Sequence, residues 1–304
     1  MRLPAATLLI LLPLGPAWAT EQVTQDRTPR LALISAFEPE WKELREAVVK
    51  DGPIESTMHN GIEFVTGTLE GHDVVVFSSG VSMVNAAMAA QMAFDRYNVE
   101  RVIYSGIAGS AEPALDIGDV IVPEKWGQYF EVIMARERDG EMVTPRYFKT
   151  PFPNFEMMFP REVDVVSASN APSTKFWFEV DPTMLGAARK IAGTIKLEGC
   201  SAHGACLTKE PKVSVGGNGV SGTAFVDNTR FRSWAHETFD ARVLDMESAA
   251  VAHVAWTNDV PFLAVRSVSD LAGGGPGANE MNTFMGLAAG NSVTVVRGIL
   301  SALD

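Results

Sequence analysis

Short, continuous apolar runs that alternate with helical patterns are the strongest constraint on the fold of this 304-residue chain. Residues 31–36 read LALISA, a run typical of a strand that is buried on both faces of a sheet. Further strands are predicted at 63–69, 74–78, 101–104, 120–122, 212–215 and 262–268. Helices are predicted between them at 40–49, 83–97 with Ser82 as the N-cap, 247–258 and 279–303.

Two of these strands, 63–69 and 74–78, are separated only by the turn EGHD, which predicts an antiparallel hairpin. Strands that are connected by helices pair in parallel, so the sheet as a whole is expected to be mixed. With 46% hydrophobic residues the chain can bury a large core. We therefore predict an α/β fold over residues 20–304, a single domain with a central mixed β-sheet flanked by helices.

The regular pattern fades between about residues 124 and 200, and 145–160 is dense in Pro, Phe and Met. We interpret about 126–210 as an insertion within the domain. Its Met- and Phe-rich part, from Tyr147 to Phe159, is expected to be either a lid or a contact between subunits.

The N-terminus has the layout of a secretory signal peptide: one positive charge, a short apolar run and AWA at 17–19. Cleavage after Ala19 predicts an exported protein, periplasmic or secreted, and an uncleaved N-terminal anchor is the alternative. No later segment offers about 18 uninterrupted apolar residues, so no membrane contact is expected after cleavage. In an oxidising compartment Cys200 and Cys206, the only two cysteines, are candidates for a disulfide, although two unrelated thiols are the alternative.

The charge balance excludes one large class of partner. There are 37 Asp and Glu residues against 25 Lys and Arg, a formal net charge of −12 that repels nucleic acid and favours a small-molecule ligand. The five histidines show no metal-ligand spacing, so no metal is expected. GNGVSG at 217–222 formally matches the dinucleotide fingerprint, but it lies late in the chain and no clean amphipathic helix follows, so no cofactor is predicted.

Three carboxylates stand at or near predicted strand ends: Glu40, Glu247 and Asp270. Each alone has a simpler explanation, as a favourable charge at the start of a helix or as a turn residue. Together they fit the cleavage of a bond to an anomeric carbon, in which one carboxyl group activates water and another protonates the leaving group. A third carboxylate can bind the sugar hydroxyls.

Several motifs, in their order and spacing, resemble the nucleoside phosphorylase superfamily. These are SAFEPE at 35–40, SGIAG at 105–109, GDVIV at 118–122, ME at 246–247 before AAVA at 249–252, and RSVSD at 266–270. The resemblance is closest to the methylthioadenosine/S-adenosylhomocysteine nucleosidases. DMESAA at 245–250, with SDLAGGG at 269–275, also resembles the secreted bark-storage-protein-like members.

The resemblance implies a role for individual residues. Glu40 activates the water, Asp270 donates a proton or hydrogen bond to purine N7, and Glu247 binds the ribose hydroxyls. Phe225 stacks on the base, beside a backbone segment at Val226 that pairs with the base edge. The remaining substrate-binding candidates are Ile107, Ala108 and Gly109 along the ribose and base, Met246 beneath the sugar, Ser269 beside the acid, and Phe37, where nucleosidases usually carry methionine.

The nucleophile is interpreted as water because the turn after the first strand is acidic. Tyr104 stands where a phosphate-using member carries an arginine, so no cationic cradle for a dianion is visible. We therefore expect an N-glycosidase acting on purine nucleosides and, by the same resemblance, a homo-oligomer. The alternatives are a phosphorylase that binds phosphate through Arg101, Arg266 or an arginine of the insertion, and a storage or binding protein.

Overall fold

The structure, a computed structural model, describes residues 26–303, so the predicted signal peptide at 1–19 lies outside the described residues. The helices are α1 (Glu38–Asp51), α2 (Met83–Arg96), α3 (Pro182–Ile191), α4 (Thr229–Phe239), α5 (Ser248–Thr257) and α6 (Met281–Ala302). The strands are β1 (Asp26–Ser35), β2 (Glu55–His59), β3 (Ile62–Leu69), β4 (His72–Ser78), β5 (Tyr97–Ser110), β6 (Val120–Val122), β7 (Lys125–Gln128), β8 (Val132–Met134), β9 (Arg136–Arg138), β10 (Glu141–Val143), β11 (Met158–Pro160), β12 (Val163–Val165), β13 (Ser173–Lys175), β14 (Trp177–Glu179), β15 (Val213–Val215), β16 (Asn218–Ser221), β17 (Ala241–Asp245) and β18 (Phe262–Asp270).

One mixed sheet of twelve strands forms the centre of the molecule, with the order β14-β7-β16-β17-β5-β1-β4-β3-β2. Strand β18 adds to β5 in parallel, β6 pairs with β18 antiparallel, and β15 pairs with β6 in parallel. The predicted hairpin is β3 and β4, whose register pairs Leu69 with His72. The predicted α/β fold with a central mixed sheet is therefore confirmed.

Strand β5 is longer than predicted, and its length creates the site. It runs parallel to β1 up to the pair Ile34 and Tyr104, continues along β18, and then pairs antiparallel with β17 at Gly109 and Ser110. The segment 105–109, expected to follow the strand, lies inside it. Because β5 bridges these neighbours, the ends of β1, β17 and β18 meet beside one stretch of its backbone.

The main hydrophobic core lies on the sheet beneath α1, α2, α5 and α6. Leu33, Val76, Ile103 and Val265 are fully buried in neighbouring strands. Helix α6 is the one helix among the described residues that is long and apolar enough to cross a membrane. The apolar window of α6 is 61% buried, and the helix packs on β18, α1 and α3, which is the behaviour of a core helix.

The segment at about 126–210, predicted as an insertion, has more structure than the sequence indicated. It contains α3, six short strands outside the central sheet (β8 to β13) and, in β7 and β14, two strands that belong to the central sheet. Many of its aromatic rings join those of α4 in a second hydrophobic cluster. Phe152 lies 4.4 Å from Phe176 and Phe155 lies 5.1 Å from Phe231, measured between ring centroids. Tyr147, by contrast, is 81% exposed, so the Met- and Phe-rich stretch is part core and part surface.

The glycine pattern at 217–222 forms no phosphate loop. Residues 218–221 are strand β16, and a Cβ at Gly219 or Gly222 would overlap the ring of Trp126 or Tyr129 respectively. These two glycines let the backbone approach the aromatic rings of the insertion closely. The same close packing supports the loop that follows β16 and carries Phe225.

Candidate active site

A pocket of about 610 Å³, measured to its open mouth, lies beside the ends of β1, β17 and β18. All but one of the residues predicted to catalyse or bind line it: Phe37, Glu40, Ile107, Ala108, Gly109, Phe225, Met246, Glu247, Ser269 and Asp270. The exception, Val226, lines an adjoining pocket that shares Phe225 and Asp270. The sequence did not single out five further lining residues, namely Ala36, Val81, Leu244, Asp245 and Met281.

Glu40 is fixed by two backbone donors from different elements. Its Oε2 accepts the N–H of Ala36 at 2.6 Å, and its Oε1 accepts the N–H of Ile107 in β5 at 2.8 Å. Burial raises the pKa of Glu40, and the nearby Arg266 guanidinium and these N–H groups oppose that rise only in part. The result is a rigid carboxylate of increased basicity at the edge of the pocket.

Arg266 lies in the middle of β18 and is fully buried. Its Nε donates to Asp245 Oδ2 at 2.7 Å and to Ser248 Oγ at 3.1 Å, while its guanidinium lies 4.2 Å from the centroid of the Tyr104 ring. Burial alone would lower the pKa of Arg266, but Asp245, Tyr104, Glu40 and Glu247 together raise it. Arg266 is therefore a permanent cation among carboxylates.

The other two guanidinium nitrogens of Arg266, Nη1 and Nη2, find no hydrogen-bond partner among residues 26–303. A Cβ at Gly106 would overlap Nη1 of Arg266 and would lie 2.5 Å from Oε1 of Glu40. The two side chains therefore occupy the space beside Gly106 that a larger residue would need. A buried donor without a partner is costly, and here the charge of the Arg266 guanidinium is offset by Asp245 and Glu40.

Asp245 and Glu247 flank the turn between β17 and α5. Asp245 accepts hydrogen bonds from the hydroxyl of Ser221 and the backbone N–H of Ser248, in addition to its ion pair with Arg266. Glu247 Oε1 accepts the N–H of Ser82 at 2.7 Å. Burial, followed by repulsion from Asp245, raises the pKa of Glu247 to about 8. Glu247 is thus largely protonated at neutral pH, and it can both donate and accept.

Ser82 adopts an unusual backbone conformation beside Glu247. It precedes α2 as predicted, but its side chain makes no capping hydrogen bond, and its φ of 82° and ψ of 158° lie in a region that is almost restricted to glycine. The backbone N–H of Ser82, rather than its hydroxyl, is what the site uses. The strained residue is therefore the one whose N–H orients the Glu247 carboxyl group.

Asp270 ends β18 and is 3% exposed. Its Oδ1 accepts the N–H of Ala272 at 2.8 Å, and its Oδ2 accepts the hydroxyl of Ser269 at 2.9 Å. A Cβ at Gly109 would lie 3.3 Å from Oδ1, so the bare backbone of β5 is what admits the carboxyl group. Phe225, across the adjoining pocket, is 55% exposed and free to stack on a ligand.

Glu40 and Asp270 both lie against the backbone of β5. Glu40 is bound to the N–H of Ile107, and Asp270 lies against Gly109, two residues further along β5. Both carboxyl groups therefore lie along one short stretch of β5, and both line the same pocket as Glu247.

Residues 30–301 match the family model described as the phosphorylase superfamily. The chain belongs to this superfamily. A methylthioadenosine/S-adenosylhomocysteine nucleosidase of Bacillus cytotoxicus is 28% identical over 276 residues, which cover 90% of this chain and 99% of the relative. Bark storage protein B of Populus deltoides is 29% identical over 225 residues, 70% of each chain. The nucleosidase of Colwellia psychrerythraea, solved with adenine, has a TM-score of 0.67 and 25% identity, covering 92% of this chain and 97% of that one.

Within the superfamily fold, Tyr104 replaces the arginine that the resemblance implies for a phosphate-using member. Its ring covers the guanidinium of Arg266, and its hydroxyl forms a hydrogen bond with Ser79 Oγ at 2.9 Å. Arg101 lies near the opposite end of the β1 and β5 pairing, beside Leu31. Of these two arginines only Arg266 lies near the carboxyl groups of the pocket, and it is already paired with Asp245 and close to Glu40 and Glu247.

Sequence reasoning missed the part that Asp245, Arg266 and Ser82 play in the site. It gave Asp245 no role, considered Arg266 only as a phosphate ligand, and placed Ser82 only as an N-cap. Arg266 carried a usable signal, because an arginine inside the apolar strand run FLAVRSVSD must find a buried anion. Asp245 had a weaker sequence signal, because it is the carboxylate directly before Met246 and Glu247. The backbone conformation of Ser82 has no sequence signal, since serine at that position predicts an ordinary N-cap.

Proposed function

We propose that this chain hydrolyses the N-glycosidic bond of purine nucleosides of the methylthioadenosine, S-adenosylhomocysteine or adenosine type. The observation that carries the proposal is one pocket lined by Glu40, Glu247 and Asp270, in which two backbone N–H groups fix the Glu40 carboxylate. A water in this pocket can donate to Glu40. The similarity to nucleosidases supports the same assignment.

In the proposed reaction the oxygen of this water attacks C1′ of the ribose while Glu40 accepts its proton. The C1′–N9 bond breaks and its electron pair passes into the purine, which Asp270 stabilises by donating to N7. Positive charge builds up on the sugar in the transition state. Glu40 stabilises that charge from a buried position, and so does the ionised fraction of Glu247. The products are the free base and a ribose derivative with a hydroxyl at C1′.

The polar and apolar parts of the pocket bind different parts of the substrate. Glu247 binds the ribose hydroxyls, and Phe225 stacks on the base, where the Val226 backbone meets its edge. Phe37, Met246 and Met281 line the pocket with apolar surface. Such a lining favours a thioether or another apolar group at the 5′ position over a phosphate.

A phosphorolytic reaction at the same site is the competing function, because two guanidinium nitrogens of Arg266 have no hydrogen-bond partner among residues 26–303. Against it, three carboxylates face that guanidinium, and a phosphate dianion would be repelled by them. The decisive measurement is turnover of methylthioadenosine, adenosine and inosine by the purified chain, with and without phosphate. Free sugar formed at equal rates in both conditions supports hydrolysis. A ribose 1-phosphate product would establish phosphorolysis, and no product from any nucleoside would establish a binding or storage role.

We also propose that the protein is exported and acts outside the cytoplasm. The signal-like sequence at 1–19 supports this location. So does the disulfide between Cys200 and Cys206, since such bonds persist in oxidising compartments. Edman sequencing of the exported protein is expected to begin at Thr20, and an intact N-terminus in the cytoplasmic fraction would contradict the proposal.

A homo-oligomer is proposed from the apolar face at the start of α2. Val81 lines the pocket and is 43% exposed, and Val84 and Met88 follow on the same helical face at 77% and 52% exposure. A second copy covering this face would also narrow the pocket mouth. Light scattering on the purified chain is expected to give more than one subunit, and Val84→Asp is expected to dissociate it.

A further inference from the structure

Two loops meet on the base side of the pocket: residues 222–228, which carry Phe225, and residues 271–280, which follow Asp270. Asn228 donates its N–H to the carbonyl of Ala272 at 3.1 Å, and the Thr229 hydroxyl donates to the carbonyl of Gly273 at 2.5 Å. A Cβ at Gly273, whose φ is 84°, would overlap the backbone of Asn228. The loop that stacks on the base is therefore held directly against the loop that follows the acid.

Asn279 is the side chain that connects these loops to the acid itself. Its Nδ2 donates to Asp270 Oδ1 at 3.3 Å and to Asp227 Oδ1 at 3.1 Å. Its Oδ1 accepts the N–H of Met281, the first residue of α6, at 2.9 Å. Because two of the partners can only accept and the third can only donate, the orientation of the amide is fixed.

These contacts determine which oxygen of Asp270 can carry a proton. Oδ1 already accepts two N–H groups, from Ala272 and Asn279, so a proton on Oδ1 would face two donors. Oδ2 has only the hydroxyl of Ser269, which can reverse its direction and accept instead. The proton of the acid therefore belongs on Oδ2, and Asn279 helps to hold it there.

We propose that Asn279 is a positioning residue for the leaving-group acid, and that it connects the orientation of Asp270 to the loop that carries Phe225. The inference rests on the proposed function, in which Asp270 donates to purine N7. Asp227, on the loop that carries Phe225, accepts from the Asn279 amide, and the same amide donates to Asp270 Oδ1. Asp270 Oδ2 is then the oxygen that donates to the base. Without the amide, the Asp270 carboxyl group is free to rotate and to place its proton on either oxygen.

The experiment compares leaving groups that do and do not need a proton. Asn279→Ala and Asn279→Asp are assayed on the best purine nucleoside and on 4-nitrophenyl β-D-ribofuranoside, whose phenolate leaves without protonation. The matched controls are Asn282→Ala and Asn282→Asp. They make the same changes at an exposed asparagine of α6, three residues after Asn279. We expect kcat on the nucleoside to fall about 10- to 100-fold in both Asn279 variants, and kcat on the aryl riboside to stay within about twofold. The Asn282 variants should match the wild type on both substrates.

A purely structural role for Asn279 would lower turnover of both substrates equally, and that result would overturn the proposal. So would nucleoside turnover within twofold of the wild type. A binding measurement covers the case in which the wild type cleaves neither substrate, which would refute the proposed function alone. Calorimetry with adenine and with 7-deazaadenine, which lacks N7, should show a preference for adenine that both Asn279 variants lose. An unchanged preference would overturn the role of Asn279 independently of catalysis.

Discussion

The two sides of the pocket are built in opposite ways. On the sugar side, Glu40, Glu247 and Arg266 come from regular helices and strands or their ends, and none is more than 5% exposed. On the base side, Phe225 and Asp227 lie on an exposed loop that faces a second loop rich in glycine. Charge stabilisation needs rigid groups removed from water, whereas a base must enter and leave. Burial therefore follows the chemistry of each group: Asp270, although on the base side, is 3% exposed like the charged groups of the sugar side, and only the stacking loop is exposed.

The sugar side carries an excess of negative charge. Three carboxyl groups, Asp245, Glu247 and Glu40, share one guanidinium, that of Arg266. Protonation of Glu247, whose pKa is raised to about 8, reduces this excess of negative charge. A site of this kind favours a positively charged sugar over an anionic co-substrate. The base side has no comparable charge cluster among the described residues.

The largest difference is expected between the two buried arginines. Arg266→Met leaves Asp245 and its neighbours without a cation, and we expect a loss of about 3–5 kcal/mol in the free energy of unfolding. Arg232, on the base side, donates to the carbonyls of Ser110 and Glu112 and to no carboxylate. Arg232→Met should cost only about 1–3 kcal/mol. Urea denaturation of both variants measures the difference, and equal losses would show that the charge cluster does not depend on Arg266.

Glu40→Gln is expected to remove hydrolysis while leaving the ligand bound. The amide keeps the size of the side chain but cannot accept the proton of water, so kcat should fall by about 10²–10⁴-fold on every substrate. The affinity for adenine, measured by calorimetry, should stay within about twofold because Glu40 does not contact the base. Turnover within tenfold of the wild type would show that another group activates the water.

Asp270→Asn is expected to separate substrates by their leaving groups. Cleavage of purine nucleosides should fall by about 10²–10⁴-fold, since their base needs a proton or hydrogen bond at N7. An aryl riboside should lose much less, in contrast to Glu40→Gln, which should block both. The melting temperature should stay close to that of the wild type, because the amide keeps most of the hydrogen bonds of Asp270. Near wild-type turnover of adenosine would mean that Asp270 is not the acid.

Glu247 should make the sugar side sensitive to pH. Its pKa is raised from an ordinary value of 4.5 to about 8 in the folded protein, so between these values the folded chain holds a proton that the unfolded chain has lost. The contribution of Glu247 to the free energy of unfolding is greatest below about pH 4.5 and is lost as the pH rises through about 8. Glu247→Gln should therefore match the wild type near pH 5 and exceed it near pH 9 by on the order of 3 kcal/mol. Urea midpoints at both pH values test this, and a constant difference would refute it.

The sequence predicted the elements whose signal is local. Strand β1 and the hairpin of β3 and β4 have apolar runs of strand length, and α5 and α6 have long apolar helical patterns. Helix α4 and strand β17 were missed because their burial depends on aromatic rings of the insertion, more than 50 residues away for Phe176. Glu40 and Asp270 were found because both stand near strand ends. The pair of Asp245 and Arg266 was not, since its register across two strands is a long-range property.

The smallest effect concerns the strain at Ser82, which supports the sugar side alone. Ser82→Gly keeps the N–H that binds Glu247 but relieves a backbone conformation that serine rarely adopts, so we expect a gain of about 1 kcal/mol in unfolding free energy. The freed backbone should orient Glu247 less firmly and raise KM for the nucleoside by about two- to fivefold. Asp139→Gly is the control, because Asp139 lies in an exposed turn with a φ of 53° that aspartate tolerates. It should change stability by less than about 0.5 kcal/mol and leave KM unchanged. If Ser82→Gly gained stability with no change in KM, the strain would belong to the fold of α2 rather than to the sugar site.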